Sequence, residues 1–135
     1  MAHIFQWDPS KLSIHVDKMD QEHIKLINLM NKLATRYEEK APFTELVSIA
    51  KELQSWTITH FDHEEKFFDT LPYSHANVHK KIHKDLLAKL DDHVKNFEKS
   101  KTLTDEFFRF LKVWLTAHIA GIDMKYGDIA NKKAA

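Results

Sequence analysis

The sequence predicts an all-α protein, an up-down-up-down four-helix bundle with an N-terminal arm. Three observations carry that expectation. Only two Gly and three Pro occur in 135 residues. No stretch alternates apolar and polar residues between turn signals, as a strand does. Four long stretches instead repeat apolar residues at helical spacing.

The first helix opens at Asp17, read as its N-cap, and runs to about Lys40 with Ile27, Met30, Ala34 and Tyr37 on one face. Lys40-Ala41-Pro42 interrupts it. The second runs to about Asp69 along Leu46, Ile49, Leu53, Trp56, His60, Glu64 and Phe67. Leu71-Pro72-Tyr73 ends it, because proline disfavours helical backbone in the residue before it. Ser74 is read as the cap of the third helix, which holds Ile82, Leu86, Leu90, Val94 and Phe97 inside and ends near Glu98. Thr104, followed by Asp105 and Glu106, starts the fourth, lined by Phe107, Leu111, Trp114, Leu115, His118 and Ile122. Gly121 marks its expected end. Short connections make consecutive helices antiparallel. The chain is expected to be one domain: an arm over residues 1–17, a bundle over 18–123 and an extension over 124–135. Ile4, Phe5, Trp7, Leu12 and Ile14 of the arm should pack on the bundle, with a turn at Asp8-Pro9.

Lys plus Arg and Asp plus Glu both total 20. Such a balance offers no field to gather nucleic acid or an anionic membrane. The chain starts without a basic, apolar leader and has no apolar run of membrane-spanning length, so a soluble cytoplasmic protein is expected. Without Cys there is no thiolate chemistry, no zinc ribbon and no iron–sulfur cluster. The unusual count is ten His.

WTITHFDHEEKFF, residues 56–68, reads as the buried stripe of a helix yet carries two histidines and two glutamates. Unpaired, they would be costly to bury. In the predicted bundle, His23, His60, Glu64, His79, His83 and His118 all fall at one end. The pairs His60/Glu64 and His79/His83 are spaced i, i+4, on one side of a helix. Asp123, five residues after His118, would point away on an unbroken helix; a break or bulge at Gly121 returns it to the same layer. Five imidazoles and two carboxylates are too many ligands for one zinc and too nitrogen-rich for calcium or magnesium. They suit two transition metals, both bridged by the carboxylates, with the imidazoles divided three and two so that one ion keeps an open position. His3, His15 and His75 are expected at the surface, His63 at the edge of the cluster, and Glu65 in solvent. His93 lies ~15 Å along the helix axis from His83, too far to join.

DQEH (20–23), HFDHEE (60–65), HKKIH (79–83) and HIAGID (118–123) resemble the hemerythrins, specifically the single-domain bacterial ones. The resemblance covers nearly the whole chain, including Trp7 and Tyr126. It implies a non-heme di-iron centre that binds O2 reversibly for storage, delivery or buffering, in a protein that is not an enzyme. It further implies that His79, His83 and His118 hold one iron and His23 and His60 the iron with the open position. Glu64, Asp123 and an oxide or hydroxide would bridge them. O2 is then the ligand, an oxygen-consuming enzyme its recipient, and the protein a monomer. The alternative is a di-iron redox enzyme or sensor acting on peroxide, nitric oxide or O2. Counted from the ligands, Leu26, Trp114, Leu115 and Ile119 are expected to wall an O2 pocket beside the His23/His60 iron.

Overall fold

Apolar residues at three- and four-residue spacing give each long stretch one face that must leave water, and packing those faces together produces the observed architecture. The computed structural model describes residues 5–134, and its regular elements there are all helical. A short helix α1 (Pro9–Leu12) lies in the arm. The bundle follows as α2 (Asp17–Glu38), α3 (Phe43–Phe68), α4 (Ala76–Ser100) and α5 (Asp105–Ala117). From α5 the chain passes through a π-helical segment, His118–Asp123, into α6 (Met124–Ala134). Among the described residues no helix is long and apolar enough to cross a membrane.

The helix boundaries follow the sequence reading with two local differences. Asp17 is the first helical residue rather than the cap, and Val16 holds the cap position in extended backbone. Asp17 and Asp20 in the first turn complement the positive end of the helix dipole instead. At α4, His75 takes the cap position rather than Ser74. Thr104 caps α5 as expected, its hydroxyl accepting from Phe107 N at 3.1 Å. The larger correction concerns the fourth helix. It does not end at Gly121; the π segment leads directly into α6, so the C-terminal extension is helical.

Leu33, Ala34, Ile49, Ala50, Leu53, Leu90, Val94, Phe97, Phe107 and Leu111 are buried and form the apolar part of the bundle core. Of the arm residues expected to pack, Leu12 and Ile14 are buried, Phe5 and Trp7 are partly buried, and Ile4 lies outside the described residues. Asp20 accepts from Ile14 N at 3.0 Å and from the Ser13 hydroxyl at 2.6 Å. Asn131 of α6 donates to Ile14 O at 3.2 Å. A Cβ on Gly127 would sit 2.7 Å from that same Ile14 oxygen, so only glycine lets the arm and α6 approach this closely. The arm therefore braces α6, whose Tyr126 is fully buried against the polar end of the bundle.

Candidate metal centre

All seven residues singled out from the sequence are buried at one end of the bundle. His23, His60, His79 and His83 are each 1% exposed, His118 5%, and Glu64 and Asp123 0%. α2 supplies His23, α3 supplies His60 and Glu64, α4 supplies His79 and His83, and the π segment supplies His118 and Asp123.

The π segment aims Asp123. On an α-helix a residue five positions on is rotated well past a full turn and faces elsewhere. In i→i+5 geometry it returns to the same side. Asp123 Oδ1 accordingly lies 3.0 Å from His118 Nε2. Gly121 is not sterically required for this: its φ is not positive, and a Cβ there would meet nothing within 4 Å.

Each carboxylate turns one oxygen to each side. Glu64 Oε1 lies 2.8 Å from His83 Nε2 and 3.3 Å from His79 Nε2, while Oε2 lies 3.3 Å from His60 Nε2. Asp123 Oδ1 lies 3.0 Å from both His79 and His118 Nε2, while Oδ2 is 3.2 Å from His23 Nε2. Two sets of ligand atoms result, each clustered within 4.8 Å: Glu64, His79, His83, His118 and Asp123, and His23, His60, Glu64 and Asp123.

Without a cation these contacts are poorly matched. His118 Nε2 sits 3.3 Å from His79 Nε2 and 3.2 Å from His83 Nε2, three like atoms facing one another. His23 Nε2, Glu64 Oε1 and both Asp123 oxygens are buried in close contacts that lack hydrogen-bond geometry. Each such group costs about 1–3 kcal/mol. A cluster of converging imidazole nitrogens and carboxylate oxygens fits a metal, which would supply the partners this set lacks.

Residues 15–130 match the family described as the hemerythrin HHE cation binding domain. The chain belongs to the hemerythrin family. It is 32% identical over 125 residues to a hemerythrin-like protein of Naegleria gruberi, covering 93% of this chain and 92% of that one. It is 32% identical over 122 residues to the myohemerythrin of Riftia pachyptila, 90% of each chain. The bacteriohemerythrin of Stenotrophomonas maltophilia is 29% identical, over 87% of this chain and 76% of that one. The fold is similar to that of a crystal structure of wild-type hemerythrin, with a TM-score of 0.84 and 24% identity over 93% of this chain and 97% of that one.

Behind the seven converging residues stand groups that the sequence reading missed or misplaced. Glu65 is only partly exposed, and its Oε2 lies 2.8 Å from His83 Nδ1. Glu22 Oε1 lies 2.8 Å from His60 Nδ1, and its Oε2 lies 2.9 Å from Nδ1 of His63, at the cluster edge as expected. The Tyr73 hydroxyl is 3.0 Å from His79 Nδ1, and Tyr126 donates to Glu64 Oε2 at 2.9 Å. The available signal was Glu22 beside a ligand histidine and Glu65 beside a ligand glutamate, but registry alone points both off the buried stripe. His93 stays apart, stacked on Phe107 with ring centroids 5.3 Å apart. Leu26, Trp114, Leu115 and Ile119 are all buried. Trp114 packs edge-on against Phe61 at 5.9 Å, and Phe61 stacks on His83 at 3.8 Å. Trp114 also shares with His118 a groove of about 660 Å³ between α4 and α5.

The electrostatics of the buried cluster favour positive charge. Burial alone would lower the imidazole pKa values, but the carboxylates outweigh it: Glu64 and Glu22 bring His60 up to about 9, and Asp123 brings His118 up to about 10. His23 and His79 move in the same direction. Burial pushes the Glu64 carboxyl up, yet the surrounding imidazoles hold it well below the usual carboxylate range. The carboxylates thus favour protons at the positions a cation would take, and metal uptake competes with those protons. Below the folded pKa values this competition weakens binding, and it disappears above them. Apparent metal affinity should therefore rise with pH through neutrality and level off at about 9 to 10, with protons released at pH 7. Calorimetric titrations in buffers of differing ionisation enthalpy measure that release; a pH-independent affinity with no proton release would show that the imidazoles are already neutral.

Proposed function

We propose that this chain binds O2 reversibly at two iron ions, as a storage, delivery or buffering protein rather than an enzyme. The observation that carries the reading is the unequal division of the seven residues, three imidazoles on one side and two on the other, with Glu64 and Asp123 common to both. In this reading His79, His83 and His118 would hold one iron, His23 and His60 would hold the other, and Glu64 and Asp123 would serve both. The imidazole-rich, thiolate-free donor set suits iron better than calcium or magnesium. Bound there, the irons would supply the electrons for reversible O2 binding, beside the two-histidine half with its smaller ligand set.

The remaining roles belong to the protein. Tyr126, its pKa pushed well above the ordinary phenol value by burial and by the Glu64 and Asp123 charges, stays protonated and holds Glu64 Oε2 in place. Leu26, Trp114, Leu115 and Ile119 are buried and in this reading would wall the O2 pocket and keep water from the two-histidine half. Residues 18–123 act as the metal-binding bundle of a single domain. The described part of the arm and α6 brace it, and an oxygen-consuming enzyme would be the recipient.

The test is a visible spectrum of the reduced, iron-loaded protein before air, after air, and after removal of O2. A band that appears with O2 and disappears without it, over repeated cycles, is the expected result. Irreversible oxidation with steady consumption of an added reductant would replace this reading with that of a redox enzyme.

A further inference from the structure

Three of the five imidazoles are held from behind, whereas His118 Nδ1 in one half and His23 Nδ1 in the other have no hydrogen-bond partner. In the three-histidine half, Glu65 Oε2 stands 2.8 Å from His83 Nδ1 and the Tyr73 hydroxyl 3.0 Å from His79 Nδ1. In the two-histidine half, His23 Nδ1 has no hydrogen-bond partner. Only Glu22 supports this half, with Oε1 2.8 Å from His60 Nδ1. Its other oxygen is 2.9 Å from Nδ1 of His63, which belongs to neither set of converging residues. The Glu22 side chain is 11% exposed and that of His63 is 38%. Trp56 braces the pair, its indole N–H donating to Glu22 O at 3.2 Å and its ring packing edge-on to His63 at 6.3 Å.

A carboxylate that accepts from two imidazole N–H groups is fixed in both position and orientation. In the tautomer with Nδ1–H donating to Glu22, His60 keeps its Nε2 lone pair pointed at the cluster and becomes the stronger ligand. Without His63, Glu22 Oε2 loses its partner, and the carboxylate can rotate toward water and release His60. We propose that Glu22 and His63 are positioning residues, a surface-linked clamp that sets how firmly the two-histidine half retains its metal. The inference rests on the dinuclear reading above. That half has the fewest protein ligands, so loss of one ligand's orientation costs it most, and an imidazole reached from solvent governs it.

The test compares wild type with Glu22→Gln, His63→Ala, His63→Gln and Glu65→Gln, each loaded anaerobically with Fe(II) and checked for helicity and melting by circular dichroism. Iron per chain after gel filtration and its release rate to a coloured ferrous chelator are the readouts. Wild type should hold two ions. Glu22→Gln and His63→Ala should release one of them about tenfold to a hundredfold faster while keeping the other. His63→Gln, whose amide N–H can still donate to Glu22 Oε2, should restore slow release. Glu65→Gln should loosen the opposite half, so that combining it with Glu22→Gln accelerates both ions. If wild type holds two ions and both Glu22→Gln and His63→Ala release them at wild-type rates, the clamp is wrong. If His63→Gln is no better than His63→Ala, His63 does not act as a donor to Glu22 and the proposal is overturned. A wild type that never holds two ions overturns the dinuclear reading, and the clamp with it.

Discussion

Glu64→Ala should strip both ions from the chain, a larger loss than any single histidine replacement should cause. Glu64 is fully buried and belongs to both sets of converging atoms, with Oε1 2.8 Å from His83 Nε2 and Oε2 3.3 Å from His60 Nε2. Its removal leaves Asp123 as the one carboxylate among the five imidazoles, and the Tyr126 hydroxyl loses its acceptor. No other buried carboxylate of the cluster can take the place, because Glu22 and Glu65 lie behind the imidazoles on Nδ1 rather than inside on Nε2. His118→Ala removes a ligand from one set only and should lose one ion. His93→Ala is the control, since His93 packs on Phe107 and Phe110, away from the cluster. Metal analysis of the three purified variants decides the matter. Should His93→Ala deplete iron as severely as His118→Ala, the ligand set is misassigned.

Leu115→Ala should retain both irons yet autoxidise faster than wild type, and it should also lose about 2–5 kcal/mol of stability. Leu115 is 0% exposed and lies three residues before His118; Leu90, 1% exposed, lies seven residues beyond His83 on α4. Truncating either leucine removes buried methyl groups and leaves a cavity, so both variants should be destabilised to a comparable degree. Only the cavity near His118 should let water and protons reach the centre, and on the proposed O2-binding reading their exclusion is what would keep bound O2 recoverable. Leu90→Ala should therefore lose stability alone. Denaturant titration measures the shared effect, and the decay rate of the oxygenated form measures the difference. Indistinguishable decay rates in the two variants would remove Leu115 from any role beyond packing.

The four long helices were legible because each buries a continuous face, and a face repeats in sequence with the period of the helix. The same logic exposed His60, Glu64, His79 and His83: polar residues at i, i+4 on an apolar stripe conflict with burial unless something pairs them. Short connections then brought His23 and His118 to the same end without any knowledge of contacts. The end of the fourth helix was misread, because glycine is a local signal for termination whereas the π segment and α6 are held by tertiary contacts, Tyr126 on Glu64 and Asn131 on Ile14. Asp123 could be nominated by the sequence, but its aim depends on a helical register that one inserted residue changes. Glu22 and Glu65 were beyond registry, for each reaches across to the outer nitrogen of an imidazole on the next helix. The sequence by itself determined the helical class, the polar end of the bundle and the identity of the seven converging residues, since periodicity and chain reversal suffice for these. Only the tertiary structure decided how the carboxylates divide their oxygens between two sides and which groups hold each imidazole from behind, since both depend on side-chain directions across helices that no spacing along one chain encodes.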